Sequence, residues 1–119
     1  MIGLSTHWQS PYWESVPWDW VARVVVLNPG PFSADVELRW AFTGTVEEDS
    51  FSLGQDDSAE RIAPAGDPGE SRHGTLQIVS SHAVAVWGAT PLGSPNSMGW
   101  VNMTFATDPA FTIDVKPVG

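Results

Sequence analysis

The sequence predicts an all-β chain: a single-domain antiparallel β-sandwich, jelly-roll-like, of about seven to nine strands. Three observations predict it. Apolar residues alternate with period two through most of the chain, no stretch sustains a helical period, and clusters of Gly, Pro, Asn and Asp punctuate the alternating runs. A length of 119 residues suits one domain with a core of its own. A closed barrel is the second arrangement that the same pattern allows.

The elements follow in order. "HWQSPYWESVPWDW" (7–20) holds four of the seven tryptophans. Trp8, Trp13 and Trp18 recur every five residues, a spacing that fits neither one face of a strand nor one face of a helix. With Pro11 and Pro17 breaking it further, the segment is expected to wrap an end or edge of the sandwich, each ring filling a different gap. "VARVVVLN" is apolar on both sides apart from Arg23, so a central strand covered on both faces is expected. "NPGP" (28–31) reads as a turn in which Gly30 is free to take positive φ. "ADVELRWAF" sets Val36, Leu38, Trp40 and Phe42 on one face and Asp35, Glu37 and Arg39 on the other, a half-buried strand.

"DSAERIA" is the nearest approach to a helix, with Asp57 or Ser58 as N-cap, and reads equally as an edge strand. "APAGDPGESRHG" (63–74) and "TPLGSPNSMG" (90–99) are loops. "HAVAVWG" is a second doubly apolar strand, His82 lying at a hairpin bend before it. Trp87 shares a face with Ala83 and Ala85, opposite Val84 and Val86. In "WVNMTFA", Trp100, Asn102 and Thr104 oppose Val101, Met103 and Phe105. "FTIDVK" alternates again. The sandwich is thus expected over 1–106, with 107–119 as a C-terminal strand or tail.

Composition narrows function. The net charge of −9, with four Arg and a single Lys, repels phosphate backbones, so neither nucleic acid nor an anionic membrane surface is expected as a partner. Cysteine is absent, which removes thiolate chemistry. "MIGLSTHWQS" does not read as a secretory signal and no apolar run spans a membrane, so a cytoplasmic protein is expected. No metal or other cofactor is expected: His7, His73 and His82 have no ligand spacing. Asp56, Asp57 and Asp67 could hold calcium only if two loops met, and solvated turns are the simpler reading. No nucleophile elbow or phosphate-cradling glycine loop is present, so the chain does not read as an enzyme.

The aromatic residues carry the remaining signal. Trp8, Trp13 and Trp18 are candidates for core packing, a subunit interface or a ligand platform, with packing favoured. Trp87, Trp100 and Asn102 are the strand-borne residues best placed for a subunit interface or a small-molecule groove.

"RVVVLNPGPFSADVELRWAF" (23–42) and "GTLQIVSSHAVAVWGATPLG" (74–93), with the Trp- and Pro-rich N-terminus, resemble the small soluble sensory rhodopsin transducer family. The likeness in order and spacing runs from Trp8 to Ala106. It implies a β-sandwich that assembles as a homotetramer, carries a loosely held C-terminal tail, and couples a membrane photoreceptor to downstream partners, DNA among those proposed. Two departures stand out. The family's basic cluster is reduced here to Arg61, and its Arg- and Gln-containing segment is replaced by "GATPLGSPNSMG". The expectation is therefore a non-enzymatic homo-oligomeric adaptor or signalling module whose partner is another protein or the cytoplasmic face of a membrane receptor. A small carbohydrate- or metabolite-binding module using exposed tryptophans is the alternative.

Overall fold

The structure is a computed structural model, and it describes residues 4–16, 20–64, 71–92 and 99–107. Eight strands follow one another: β1 (Ser5–Val16), β2 (Trp20–Val21), β3 (Arg23–Leu27), β4 (Ala34–Phe42), β5 (Thr45–Leu53), β6 (Ser58–Ile62), β7 (Arg72–Leu92) and β8 (Gly99–Asn102). Every pairing between them is antiparallel. No helix occurs among the described residues. The predicted all-β sandwich is what forms.

Its organiser is β7, 21 residues long. The first part pairs with β1 and β4, so the larger sheet runs β2-β1-β7-β4-β5. The second part, from Ala85 on, pairs with β3 and β8, and the smaller sheet runs β8-β7-β3-β6. One strand thus bends from sheet to sheet, and the chain elsewhere crosses between them after β2, β3, β5 and β6. The expected hairpin bend at His82 is corrected: His82 lies inside β7. At the bend Ser80 donates to the carbonyl of His82 (2.7 Å), and the Asp35 amide donates to the Ser81 hydroxyl (2.9 Å). The polar pair bends the strand without ending it.

The N-terminal segment also departs from expectation. It pairs with β7 as a ladder interrupted by two register shifts, beside the two-residue edge strand β2. The register shifts by one residue between Ser10 and Trp13, a β-bulge at Pro11, whose ring has no N–H to give to a ladder. The extra residue turns the five-residue spacing into an even one. Trp8 and Trp13 therefore both point inward, with Ser10 and Ser15.

Trp13 is fully buried, edge-on to Trp40 (5.3 Å between ring centroids) and Phe42 (5.9 Å). Its indole N–H donates to the carbonyl of Thr75 (2.8 Å), and that of Trp8 donates to the carbonyl of Val84 (2.9 Å). Both rings are thereby pinned to β7, one on each side of its bend. Around them close Val24 and Val26 of β3, Val36 and Leu38 of β4, and Leu76, Ile78 and Val84 of β7. Each such side chain contributes about 1.5–3 kcal/mol by leaving water. Beyond β8, Met103 and Phe105 complete the core, and Ala106 exchanges two backbone hydrogen bonds with Gln9 (2.9 and 3.0 Å).

Asn28, also fully buried, builds the turn between β3 and β4. Its amide donates to the carbonyls of Phe32 (2.8 Å), Leu53 (3.0 Å) and Gly54 (3.1 Å), and its side-chain oxygen accepts from the Gly30 amide (3.2 Å). The expected positive φ at Gly30 is absent. Among the described residues that conformation belongs to Gly44 (70°), in the two-residue β4–β5 turn, and to Asp56 (61°). "DSAERIA" resolves as the edge strand β6. The expected strand "FTIDVK" and most of the 107–119 tail lie outside the described residues.

Candidate functional site

Register fixes what the outer face of the smaller sheet presents. Ile62, Arg23, Ala89 and Asn102 form one cross-strand row. Glu60, Val25 and Trp87 form the next, and Ser58, Leu27 and Ala85 the one after. Directly opposed residues share a face, so these rows form one patch. Val24 and Val26 face the core instead, which explains why β3 reads as apolar on both sides. Its outer side is exposed in this chain and carries Leu27.

At one end of that face a groove of about 410 Å³ opens between Trp87, Trp100, Asn102, Val101, Arg23 and Glu60. Trp87 is 52% exposed and Trp100 44%. Trp100 is held by stacking on Trp20, with centroids 5.4 Å apart and planes 27° from parallel. The guanidinium of Arg23 lies 5.9 Å from the centre of the Trp100 ring and 3.5 Å from the carboxylate of Glu60. Both ionic groups are about half exposed, so their pairing adds little stability; its effect is to leave the groove without net charge. The small side chain of Ala89 in its lining helps keep the groove open.

Of the six candidate residues, the structure brings Trp87, Trp100 and Asn102 together in this groove. Trp8 and Trp13 are core residues, away from any ligand surface. Trp18 lies outside the described residues. Arg23 and Glu60 were not singled out as site residues, although a signal existed. Arg23 is the single charge in "VARVVVLN", and β3 and β6 each alternate so that these two charges share a side. The stack of Trp20 under Trp100 had no sequence signal, because it joins strands that are not hydrogen-bonded neighbours.

At the other end of the β3–β7 face, Leu4, Pro29, Pro31, Phe32, His82 and Ala83 surround a second groove of about 320 Å³. Phe32 is 64% and Leu4 55% exposed, and Phe32 stacks on His82 at 5.5 Å. The outer face of the larger sheet contrasts with it. There a depression of about 490 Å³ is lined by Asp35, Glu37, Ser50, Ser52 and Ser81 among others.

The histidines do not converge. His7 pairs with the Thr6 hydroxyl (2.9 Å), His73 stacks on Tyr12 and His82 on Phe32. Among the described residues no group of three or more His, Cys, Asp or Glu is placed to hold a metal ion. Asp67 of the weighed calcium arrangement lies outside the described residues. Tyr12 donates to the Glu14 carboxylate (2.9 Å). Partial burial, and then Glu14, push its phenol up to about 12. No described helix is long and apolar enough to cross a membrane.

The backbone arrangement has a solved counterpart. A crystal structure of Thermotoga maritima 1070 is similar with a TM-score of 0.65 and 11% sequence identity, over 82% of this chain and 90% of that one. That likeness is one of fold. No protein-family model and no curated protein matches the chain.

Proposed function

We propose that this chain is a non-enzymatic, self-associating β-sandwich that serves as an adaptor or signalling module, of the kind to which the soluble sensory rhodopsin transducers belong. One observation carries the reading. Leu4 and Phe32, both exposed, gather with Pro29, Pro31 and Ala83 at one end of the β3–β7 face, and Leu27, also exposed, lies in the last β3 row on that face. Apolar side chains clustered in this way on a monomer's surface mark sites of association. The charge pattern supports a second copy as the occupant. In a chain of net charge −9, like molecules repel, and this end offers them a surface whose lining holds no Asp or Glu. A homotetramer in the cytoplasm is the assembly favoured by the family likeness. The acidic remainder of the surface would then face a basic patch on a receptor's cytoplasmic side or on another protein.

Light scattering coupled to size exclusion tests the reading. The wild-type chain is expected to elute as an oligomer at micromolar concentration, and the double variant Leu27→Glu/Phe32→Glu as a folded monomer. A wild-type chain that stays monomeric, or a double variant that assembles unchanged, would refute it.

A further inference from the structure

We infer that the groove between Trp87 and Trp100 is a binding site for a small neutral sugar, a pyranose ring in glycosidic form. The inference is independent of self-association, which uses the opposite end of the face.

Three features of the groove select that chemistry. First, it offers a flat apolar surface. Trp87 is the more open of its two indoles, and Trp100 is braced from behind by Trp20. An indole held rigid at little entropic cost suits the C–H face of a pyranose. Second, its polar groups differ in kind. Asn102 supplies an amide that both donates and accepts, Glu60 only accepts, and Arg23 only donates. Vicinal hydroxyls, each donor and acceptor at once, can satisfy all three. Third, the groove is electrically balanced. Arg23 and Glu60 lie 3.5 Å apart, so an anionic ligand meets the carboxylate and a cationic one the guanidinium. A chain of net charge −9 disfavours phosphorylated ligands further. The size fits as well. At about 410 Å³ the groove stands near the lower end for small-molecule sites, enough for one ring and part of its neighbour.

Saturation-transfer NMR and intrinsic Trp fluorescence would test the site. The probes are the methyl glycosides of glucose, galactose, mannose and N-acetylglucosamine and their β-linked disaccharides, with glucuronate and choline as charged controls. At least one neutral glycoside is expected to bind saturably and to receive saturation on its axial C–H protons. Trp87→Ala is expected to weaken binding at least tenfold, and Asn102→Ala about tenfold. Both variants should keep the wild-type circular dichroism, since neither side chain is in the core. The Leu27→Glu/Phe32→Glu variant should bind as the wild type does, which separates this site from the association surface. Binding of none of the glycosides, preference for glucuronate or choline, or unchanged binding by Trp87→Ala would each overturn it.

Discussion

Asn28 is the side chain whose removal should tell most about how the sandwich is closed. Its amide spans the β3–β4 turn and the end of β5, linking Phe32, Leu53 and Gly54, while its oxygen holds Gly30. Two further backbone bonds fasten the same residue to the β5–β6 turn: its amide donates to Asp57 and its carbonyl accepts from Asp56. Asn28→Ala leaves the backbone bonds and deletes the side-chain ones. Phe32 is exposed and Gly30 and Gly54 are half-buried, so water can replace those partners in part. The Leu53 bond lies in the buried interior and cannot be replaced. A buried group left unpaired costs about 1–3 kcal/mol, and each water-replaced bond about 0.5 kcal/mol. The total is about 2.5–4.5 kcal/mol, or a fall in Tm of roughly 10–18 °C for a domain of this size. Thermal unfolding by circular dichroism and urea titration would measure it. Asn28→Asp provides the sharper control. Its carboxylate would face three carbonyl oxygens, so it should be worse than Ala at neutral pH and recover as acid protonates it. A Tm within about 2 °C of wild type for Asn28→Ala, in a variant whose urea m-value is unchanged, would refute this account of the turn.

Three other perturbations have outcomes set by the geometry. Trp13→Ala should cost about 4 kcal/mol, since it empties a fully buried site between Trp40 and Phe42 and removes the indole's bond to the Thr75 carbonyl; denaturant titration would read it, and a loss below about 1.5 kcal/mol would contradict the packing described. Gly74→Ala would set a Cβ 1.6 Å from the carbonyl oxygen of Ala41, so β4 and β7 must part locally; a loss of about 3 kcal/mol or more is expected, whereas Gly88→Ala meets the movable sulfur of Met103 (2.8 Å) besides the Arg23 carbonyl (2.9 Å) and should cost less. Tyr12 is the single tyrosine of the chain, so absorbance at 295 nm reports it alone. Its phenol should ionise near pH 12 in the folded protein, against 10 for an ordinary tyrosine, and earlier in Glu14→Gln. Because the fold favours the neutral phenol, the associated stability is present below pH 10 and is lost between 10 and 12; a folded-state midpoint at 10 would sink the assignment.

The strands were largely legible because alternation in a half-buried strand is a local property. β4 is the clearest case: Val36, Leu38, Trp40 and Phe42 are all buried, as their spacing demands. The same reasoning set Trp87 on the face opposite Val84 and Val86, and the structure leaves Trp87 exposed there while both valines are buried. It failed where one residue changed the count. The spacing of Trp8 and Trp13 looked incompatible with a strand because period two has no place for a bulge, and nothing beyond Pro11 marks where the extra residue sits. It failed again at Ser80–His82, where a short polar run can end a strand or bend it. Only the partners on both sides, β1 and β4 before the bend and β3 after it, decide that one strand continues. For the groove, Trp87, Trp100 and Asn102 could be picked by their faces. Their meeting with Trp20 and Glu60 is a matter of strand order, which alternation does not encode.

The placement of the acids bears on how copies of this chain could meet. Antiparallel sheets leave edges, and an open edge invites another strand. β5 is an edge of the larger sheet among the described residues, and it carries Glu47, Glu48 and Asp49 in succession. Any copy approaching this edge brings the same acids, so strand addition is opposed there. Asp49 also reaches across to Arg61 of β6 (3.0 Å), and that guanidinium lies 4.3 Å from the centre of the Phe51 ring. The two sheets are thus tied together along the side where both have edge strands, and β6 is drawn toward its own protein. Along this side of the molecule, edge contacts between copies are opposed by charge. The outer face of the larger sheet presents Asp35, Glu37 and Glu48 around Arg39, which pairs with Glu37 (2.9 Å) and Glu48 (3.9 Å) and leaves the group net negative. The smaller sheet presents Leu27 toward one end and the balanced Arg23–Glu60 pair toward the other. In the proposed self-association, repulsion at the β5 edge would favour the surface that apolar exposure selects, and neutralising Glu47 and Glu48 should add edge-to-edge aggregation without strengthening the proposed assembly.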